Sequence, residues 1–163
     1  MGVAVTLIAG PASAAATPRL AGTFSTKQKV TQAVNGEPVG RVTTKPYKFV
    51  PKCGTGACAT VMTRVHGDGT TQTYTLNPVS GKARYTGGAT YVSSCYTSNG
   101  GVLIKKGYTY TEKLTITVTK TSGGAATAYT GVMHLAFTPT AAAQNKCPAG
   151  SETIALTSVK KTG

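Results

Sequence analysis

The stretch "GYTYTEKLTITVTKT", residues 107–121, alternates with a period of two. Tyr108, Tyr110, Glu112, Leu114, Ile116 and Val118 fall on one side, and Thr109, Thr111, Lys113, Thr115, Thr117 and Thr119 on the other. Successive side chains of a strand point to opposite faces, so this is a long strand with one dry and one wet side. Helix formers at helical spacing are rare elsewhere, and the same alternation recurs on both sides of this segment.

Upstream, "GTFSTKQKVTQAV" (22–34) sets Phe24, Val30 and Val34 against Ser25, Lys27, Lys29 and Thr31. "NGEPVG" (35–40) is a turn. "RVTTKPYKFV" (41–50) is a strand interrupted by Pro46, with Tyr47 and Phe49 sharing a face. "CATVMTRVH" (58–66) sets Val61 and Val65 against Met62 and Arg64, and "GDG" (67–69) signals a hairpin turn. "TQTYTL" (71–76) carries Tyr74 and Leu76, "NPVSG" (77–81) turns the chain, and "KARYTG" (82–87) is a short strand. "YTSNGGVLIKKG" (96–107) reads as a loop turning at Asn99-Gly100-Gly101. Downstream, "SGG" (122–124) is a tight turn and "AATAYTGVMHLAFT" (125–138) brings Tyr129, Met133, Leu135 and Phe137 together. "PTAAAQNKCPAGS" (139–151) is the last long connection, with an Ala run suited to one helical turn, and "ETIALTSV" (152–159) closes the chain. Eight strands with short turns and one dry face each converge on one interior. The expected fold is all-β and antiparallel, an up-and-down barrel; a two-sheet sandwich is the alternative. The outward faces carry Thr and Lys, which does not suit a lipid-facing barrel.

The chain has 163 residues, enough for one domain. It opens with an apolar run, Val3 to Ala9, followed by small-x-small sites at Ala12–Ala14 and Ala14–Ala16. This predicts a signal peptide over residues 1–16 and a single secreted domain over 17–163. No Lys or Arg precedes the apolar run, so the natural start is expected upstream or the chain is trimmed. In an exported protein, four cysteines predict two disulfides. Three pairings are possible. The favoured one closes a tight ring in "KCGTGAC" (52–58) through Cys53–Cys58 and joins distant segments through Cys95–Cys147. Structural zinc sites bring two close cysteine pairs, whereas Cys95 and Cys147 each stand alone, so no metal is expected.

Seventeen Lys and Arg stand against four acids, Glu37, Asp68, Glu112 and Glu152, for a net charge of +13. That field attracts polyanions: nucleic acid, acidic wall polymers, anionic lipid heads. The cations are mostly scattered lysines, adjacent only at Lys105-Lys106 and Lys160-Lys161, and tryptophan is absent. Specific nucleic-acid readers favour arginine and stacking aromatics, so a specific nucleic-acid partner is not expected.

Enzyme signatures are sparse. His66 and Asp68 lie two apart in a hairpin signal, with no nucleophile in a recognisable turn. His134 alternates with Met133 and Leu135 and should face solvent. A glycosidase needs two carboxylates across a cleft, and a phosphate-cradling loop entering a helix is missing. No catalytic residue and no cofactor is expected. Glu112 stands out because it falls on the dry face. A buried carboxylate needs a cation, donors or water. Two readings are open: a structural one, in which Glu112 pairs with a Lys or Arg near the barrel rim or the strand end is already exposed, and a functional one, in which with Tyr108 and Tyr110 it lines a pocket mouth. The wall of such a pocket would be Tyr47, Phe49, Tyr74, Tyr85, Tyr129 and Met133, residues that equally suit a filled core.

Several segments carry a resemblance. Gly22-Thr23-Phe24 opens the first strand, "PYKFVPKCGTGACATV" (46–61) and Cys95 follow, then "YTEKLTITVT" (110–119), "AYTGVMHLAF" (128–137) and Cys147 before the last strand. Together they resemble the secreted, lipocalin-like (calycin-type) barrel domains of actinobacteria over most of residues 20–160. Lipocalins open with Gly-x-Trp, and Phe24 stands at the Trp position. The basic residue that packs on that ring corresponds to Lys160 or Lys161. The resemblance implies a barrel whose mouth takes a small apolar molecule, and no catalysis. The expected function is a secreted binding module holding a small apolar or amphipathic ligand. The alternative is a structural or surface-interaction protein that docks on anionic wall polymers or a protein partner through its basic exterior.

Overall fold

The computed structural model describes residues 16–66, 69–97 and 99–161. Most of the expected signal peptide, and Gly67 and Asp68 of the expected hairpin turn, lie outside the described residues. Eight strands follow in chain order: β1 (Gly22–Val34), β2 (Val42–Pro51), β3 (Thr60–Val65), β4 (Thr71–Pro78), β5 (Arg84–Tyr96), β6 (Val102–Ser122), β7 (Ala125–Pro139) and β8 (Gly150–Lys160). Each pairs antiparallel with its sequence neighbours, and β8 returns to β1, so the sheet is a closed up-and-down barrel rather than a sandwich. The seam runs from Phe24 opposite Lys160 to Val34 opposite Ser151. Closure covers most strand edges; the β4–β5 pairing is the shortest, running only from Thr75 opposite Gly88 to Pro78 opposite Tyr85. The Ala run makes one short 3-10 turn at Ala141–Ala143.

Alternation sets the faces. On β6, Tyr108, Glu112, Leu114, Ile116 and Val118 are buried and Tyr110 is half-buried, while Thr111 and Lys113 are exposed. Tyr47 and Phe49 on β2, Tyr74 and Leu76 on β4, and Tyr129, Met133 and Phe137 on β7 also point inward. Three expectations need correction. Val34 is exposed, because a register shift between Val30 and Gln32 breaks the alternation of β1. The fifth strand runs to Tyr96 rather than stopping at residue 87. Residues 102–106, read as loop, belong to the start of β6, paired through Tyr96 opposite Val102 and Cys95 opposite Ile104.

The two ends differ. The lower end holds the 52–59, 79–83 and 123–124 connections and is crossed by the segment before β1. Arg19 joins Ala125 in a bridge, its backbone N–H donates to the Gly124 carbonyl, and its guanidinium donates to the Cys53 and Gly54 carbonyls. The Tyr85 hydroxyl donates to the Pro18 carbonyl at 2.8 Å. Leu20 is thereby pressed into the core with no exposed surface. Phe24, Phe49 and Tyr129 pack on one another beneath it, with ring centroids 5.2–5.6 Å apart. Lys160 lies opposite Phe24 in the register and runs along Gly22. The upper end carries the 35–41, 66–70, 97–101 and 140–149 connections.

Two disulfides staple the shell. Cys53–Cys58 closes the loop between β2 and β3, and Cys95–Cys147 ties the end of β5 to the connection between β7 and β8. No free cysteine remains among the described residues.

Candidate functional site

Midway up the interior, four strands deliver polar side chains to one point. Glu112 on β6 is 1% exposed. Arg64 Nη2 on β3 donates to Glu112 Oε1 at 2.6 Å. The Tyr91 hydroxyl on β5 donates to the same oxygen at 2.8 Å, and the Tyr74 hydroxyl on β4 donates to Oε2. Arg64 Nη1 also reaches the Met133 sulfur at 3.4 Å, and the guanidinium lies 5.6 Å from the Tyr74 ring centroid. The buried carboxylate thus has both a cation and donors, which is what its burial demands. Tyr47 sits directly across the β2–β3 pair from Arg64, and its hydroxyl faces the guanidinium without completing a hydrogen bond of good geometry.

The electrostatics follow from this packing. Burial works against the Arg64 charge, but Glu112, Tyr47 and Tyr74 more than offset it, and the guanidinium is held more firmly protonated than in water. Burial, reinforced by the Glu112 charge, pushes the Tyr74 and Tyr91 hydroxyls well above their ordinary value, with Arg64 opposing. Tyr110 is pushed up to about 12, chiefly by burial. These hydroxyls stay protonated at neutral pH, and those of Tyr74 and Tyr91 donate to Glu112.

Above this centre the interior loosens towards the upper end. Tyr91 and Tyr110 stack at 5.2 Å with their planes 7° apart, and Tyr110 leans on Tyr108 and Phe137. The Tyr108 hydroxyl donates to the Pro148 carbonyl at 3.0 Å. Tyr91, Tyr110 and Leu135 keep part of their surface free. Glu152 sits at the rim and accepts from the Glu37 backbone N–H at 2.7 Å.

Of the expected pocket wall, Tyr47, Phe49, Tyr74, Tyr129 and Met133 are 0–2% exposed. They cover one another and leave no surface for a ligand. Tyr108 and Tyr110 stand higher, with Glu112 beneath them, so the expected wall divides into a packed lower part and a half-open tyrosine shelf. Sequence reading did not single out Tyr91, which lies in the stretch not recognised as strand. The alternation on β3 sets Val61 and Val65 against Met62 and Arg64 without saying which pair faces inward, and the structure buries Met62 and Arg64 and exposes Val65. His134 is exposed, with Nδ1 3.3 Å from the Thr153 hydroxyl.

Outside the barrel, a groove of about 460 Å³ is bordered by Ser25, Lys27, Thr44, Thr130 and Thr157. A second concavity of about 600 Å³ lies at the lower end against Thr17, Arg19, Gly56 and Ser80. Among the described residues no three of His, Cys, Asp and Glu come together to hold a metal, and no helix is long and apolar enough to cross a membrane. Comparison with family models, with curated proteins and with solved structures found no match.

Proposed function

We propose that this chain is an exported, disulfide-stapled, lipocalin-like barrel that works from its outer surface, docking through its basic exterior on anionic polymers of the cell envelope. The observation that carries this reading is the placement of charge. Glu112 and Glu152 are buried, Glu37 is ion-paired with Arg41, and Asp68 lies outside the described residues. Arg64 is the one Lys or Arg among the buried residues. The wall is therefore studded with cations and hydroxyls with little counter-charge between them, while the interior is largely occupied by the protein itself. Catalysis forms no part of the proposal, because Glu112 is enclosed and spent on Arg64, Tyr74 and Tyr91.

The test is retention of the oxidised protein on a phosphocellulose matrix across a salt gradient. Charge docking requires log K to fall linearly with log salt, as counterions are released. Retention that ignores salt, or no retention at low ionic strength, overturns it. One observation favours a second reading: the half-open Tyr91–Tyr110 stack is a surface on which a small flat apolar molecule fits. Native mass spectrometry of freshly purified protein tests it, and a bare polypeptide mass counts against it.

A further inference from the structure

The β5–β6 hairpin outreaches the barrel that carries it. Strand β4 pairs with β5 only over Tyr85–Gly88, and β7 pairs with β6 only from Tyr108 onward. Beyond those limits the two strands pair with each other alone, ending at Tyr96 opposite Val102 and the turn closed by the Thr97 N–H donating to the Gly101 carbonyl. The ribbon is held rather than loose. Cys95 is bonded to Cys147, the Thr140 hydroxyl and backbone N–H donate to the Lys106 and Gly107 carbonyls, and Ile104 packs on the small cluster of Cys95, Ala143 and Cys147. A bulge with Lys106 at φ +54° sets its angle, and a Cβ on Gly107 would lie 2.7 Å from the Cys95 Cβ. Only glycine lets the strands come that close.

Exposed valines occur elsewhere on the wall, Val50, Val132 and Val159 among them, but this ribbon gathers three large apolar side chains at one extremity. Its tip exposes Tyr96 (47%), Val102 (53%) and Leu103 (45%), with the exposed lysines 105 and 106 just behind on β6 and Lys146 on the stapled connection. Apolar side chains at an extremity, an amphipathic tyrosine among them and a collar of lysines make the pattern of a segment seated at a lipid–water boundary. There the apolar groups enter the headgroup region and lysines meet phosphates. We infer that this hairpin tip is an insertion finger for an anionic lipid bilayer, which orients the barrel with its upper end to the membrane. The inference rests on the docking reading for the approach of the protein, and adds a lipid surface and a contact point to it.

The chain has no tryptophan, so a single one reports its own surroundings. Leu103→Trp places the probe at the tip, and Val159→Trp places it at the opposite end of the barrel. Each full-length, oxidised variant is mixed with vesicles of equal phosphatidylglycerol and phosphatidylcholine, with phosphatidylcholine vesicles, and with soluble polyphosphate. The expected result is a blue shift of L103W emission with anionic vesicles, none with polyphosphate, and no shift of V159W with either. K105Q/K106Q should weaken vesicle partitioning by about 25-fold, at about five-fold per lysine, and K27Q/K29Q by clearly less. Equal shifts of L103W and V159W, or vesicle partitioning indifferent to K105Q/K106Q, overturn the finger. Binding to polyphosphate with no vesicle binding also overturns it while leaving the docking reading intact; failure to bind either anion defeats both.

Discussion

Glu112 is accommodated inside the barrel because three side chains from three other strands converge on its two oxygens. The individual contributions differ in kind. Tyr74 gives its hydroxyl to a charged acceptor, so Tyr74→Phe should cost about 1.5–3 kcal/mol in urea unfolding. Tyr47→Phe removes a buried hydroxyl without a completed hydrogen bond and should change stability by less than about 0.5 kcal/mol, or raise it. Equal losses from the two would mean that the polar centre is not organised around Glu112. Glu152 supplies a pH test. Burial raises its pKa above the ordinary 4.5, opposed by the Glu37 N–H. The folded state therefore holds that proton more tightly than the unfolded chain. Its contribution to stability is full below the unfolded value and is lost as pH rises through the folded one. The stability of wild type minus that of Glu152→Gln, from urea unfolding between about pH 4 and about pH 7, should fall as pH rises; a flat or rising difference contradicts the assignment. At this scale, Glu112 was legible as an anomaly on a dry face, and its need for a cation was legible with it. Tyr91 was not, since nothing in "GGATYVSS" alternates cleanly enough to assign an inward face.

Among the elements, β6 could be read directly because threonine and aliphatic residues alternate without interruption. β5 could not, because Gly87-Gly88-Ala89 supply no apolar beat and Ser93 and Ser94 no contrast. The glycines are there for the neighbours. A Cβ on Gly87 would lie 1.9 Å from the Thr75 carbonyl oxygen of β4. Gly87→Ala must push β4 and β5 apart and should cost about 3 kcal/mol, whereas Gly54, with nothing within 4 Å of its Cβ position, should accept Ala within about 0.5 kcal/mol. Thermal melts of the pair check this, and an unaffected Gly87→Ala would place β4 wrongly. The start of β6 hid for a different reason. Lys105, Lys106 and Gly107 look like a loop, and what makes them sheet is tertiary: the Cys95–Cys147 bond and the Thr140 hydrogen bonds. Val34 was misplaced because a bulge in β1 is invisible to a strict period of two.

For the molecule as a whole, eight strands with short turns sufficed to specify an all-β shell, and closure follows from β8 finding β1. Sequence patterning did not reveal how full the shell is, because Tyr47, Phe49 and Tyr74 look alike as pocket wall or as core. The two staples should differ in weight. Loop-closure entropy gives about 2 kcal/mol for the ring closed by Cys53–Cys58 and about 4 kcal/mol for the one closed by Cys95–Cys147, so C95S/C147S should unfold at markedly lower urea than C53S/C58S, and the reverse order would deny the longer bond its structural role. The central claim is that the interior belongs to the protein and binding belongs to the exterior. Met62 and Met133 are fully buried, and eleven of the thirteen lysines are exposed, with Lys45 and Lys160 half-buried. The most direct measurement follows the carbon-13 signals of methionine methyls and lysine ε-carbons together, while long-chain polyphosphate is added to the oxidised protein and then displaced with salt. The account predicts lysine signals that move and return with salt, and signals of Met62 and Met133 that stay in place; core methionine signals that move while the lysines hold still would contradict it.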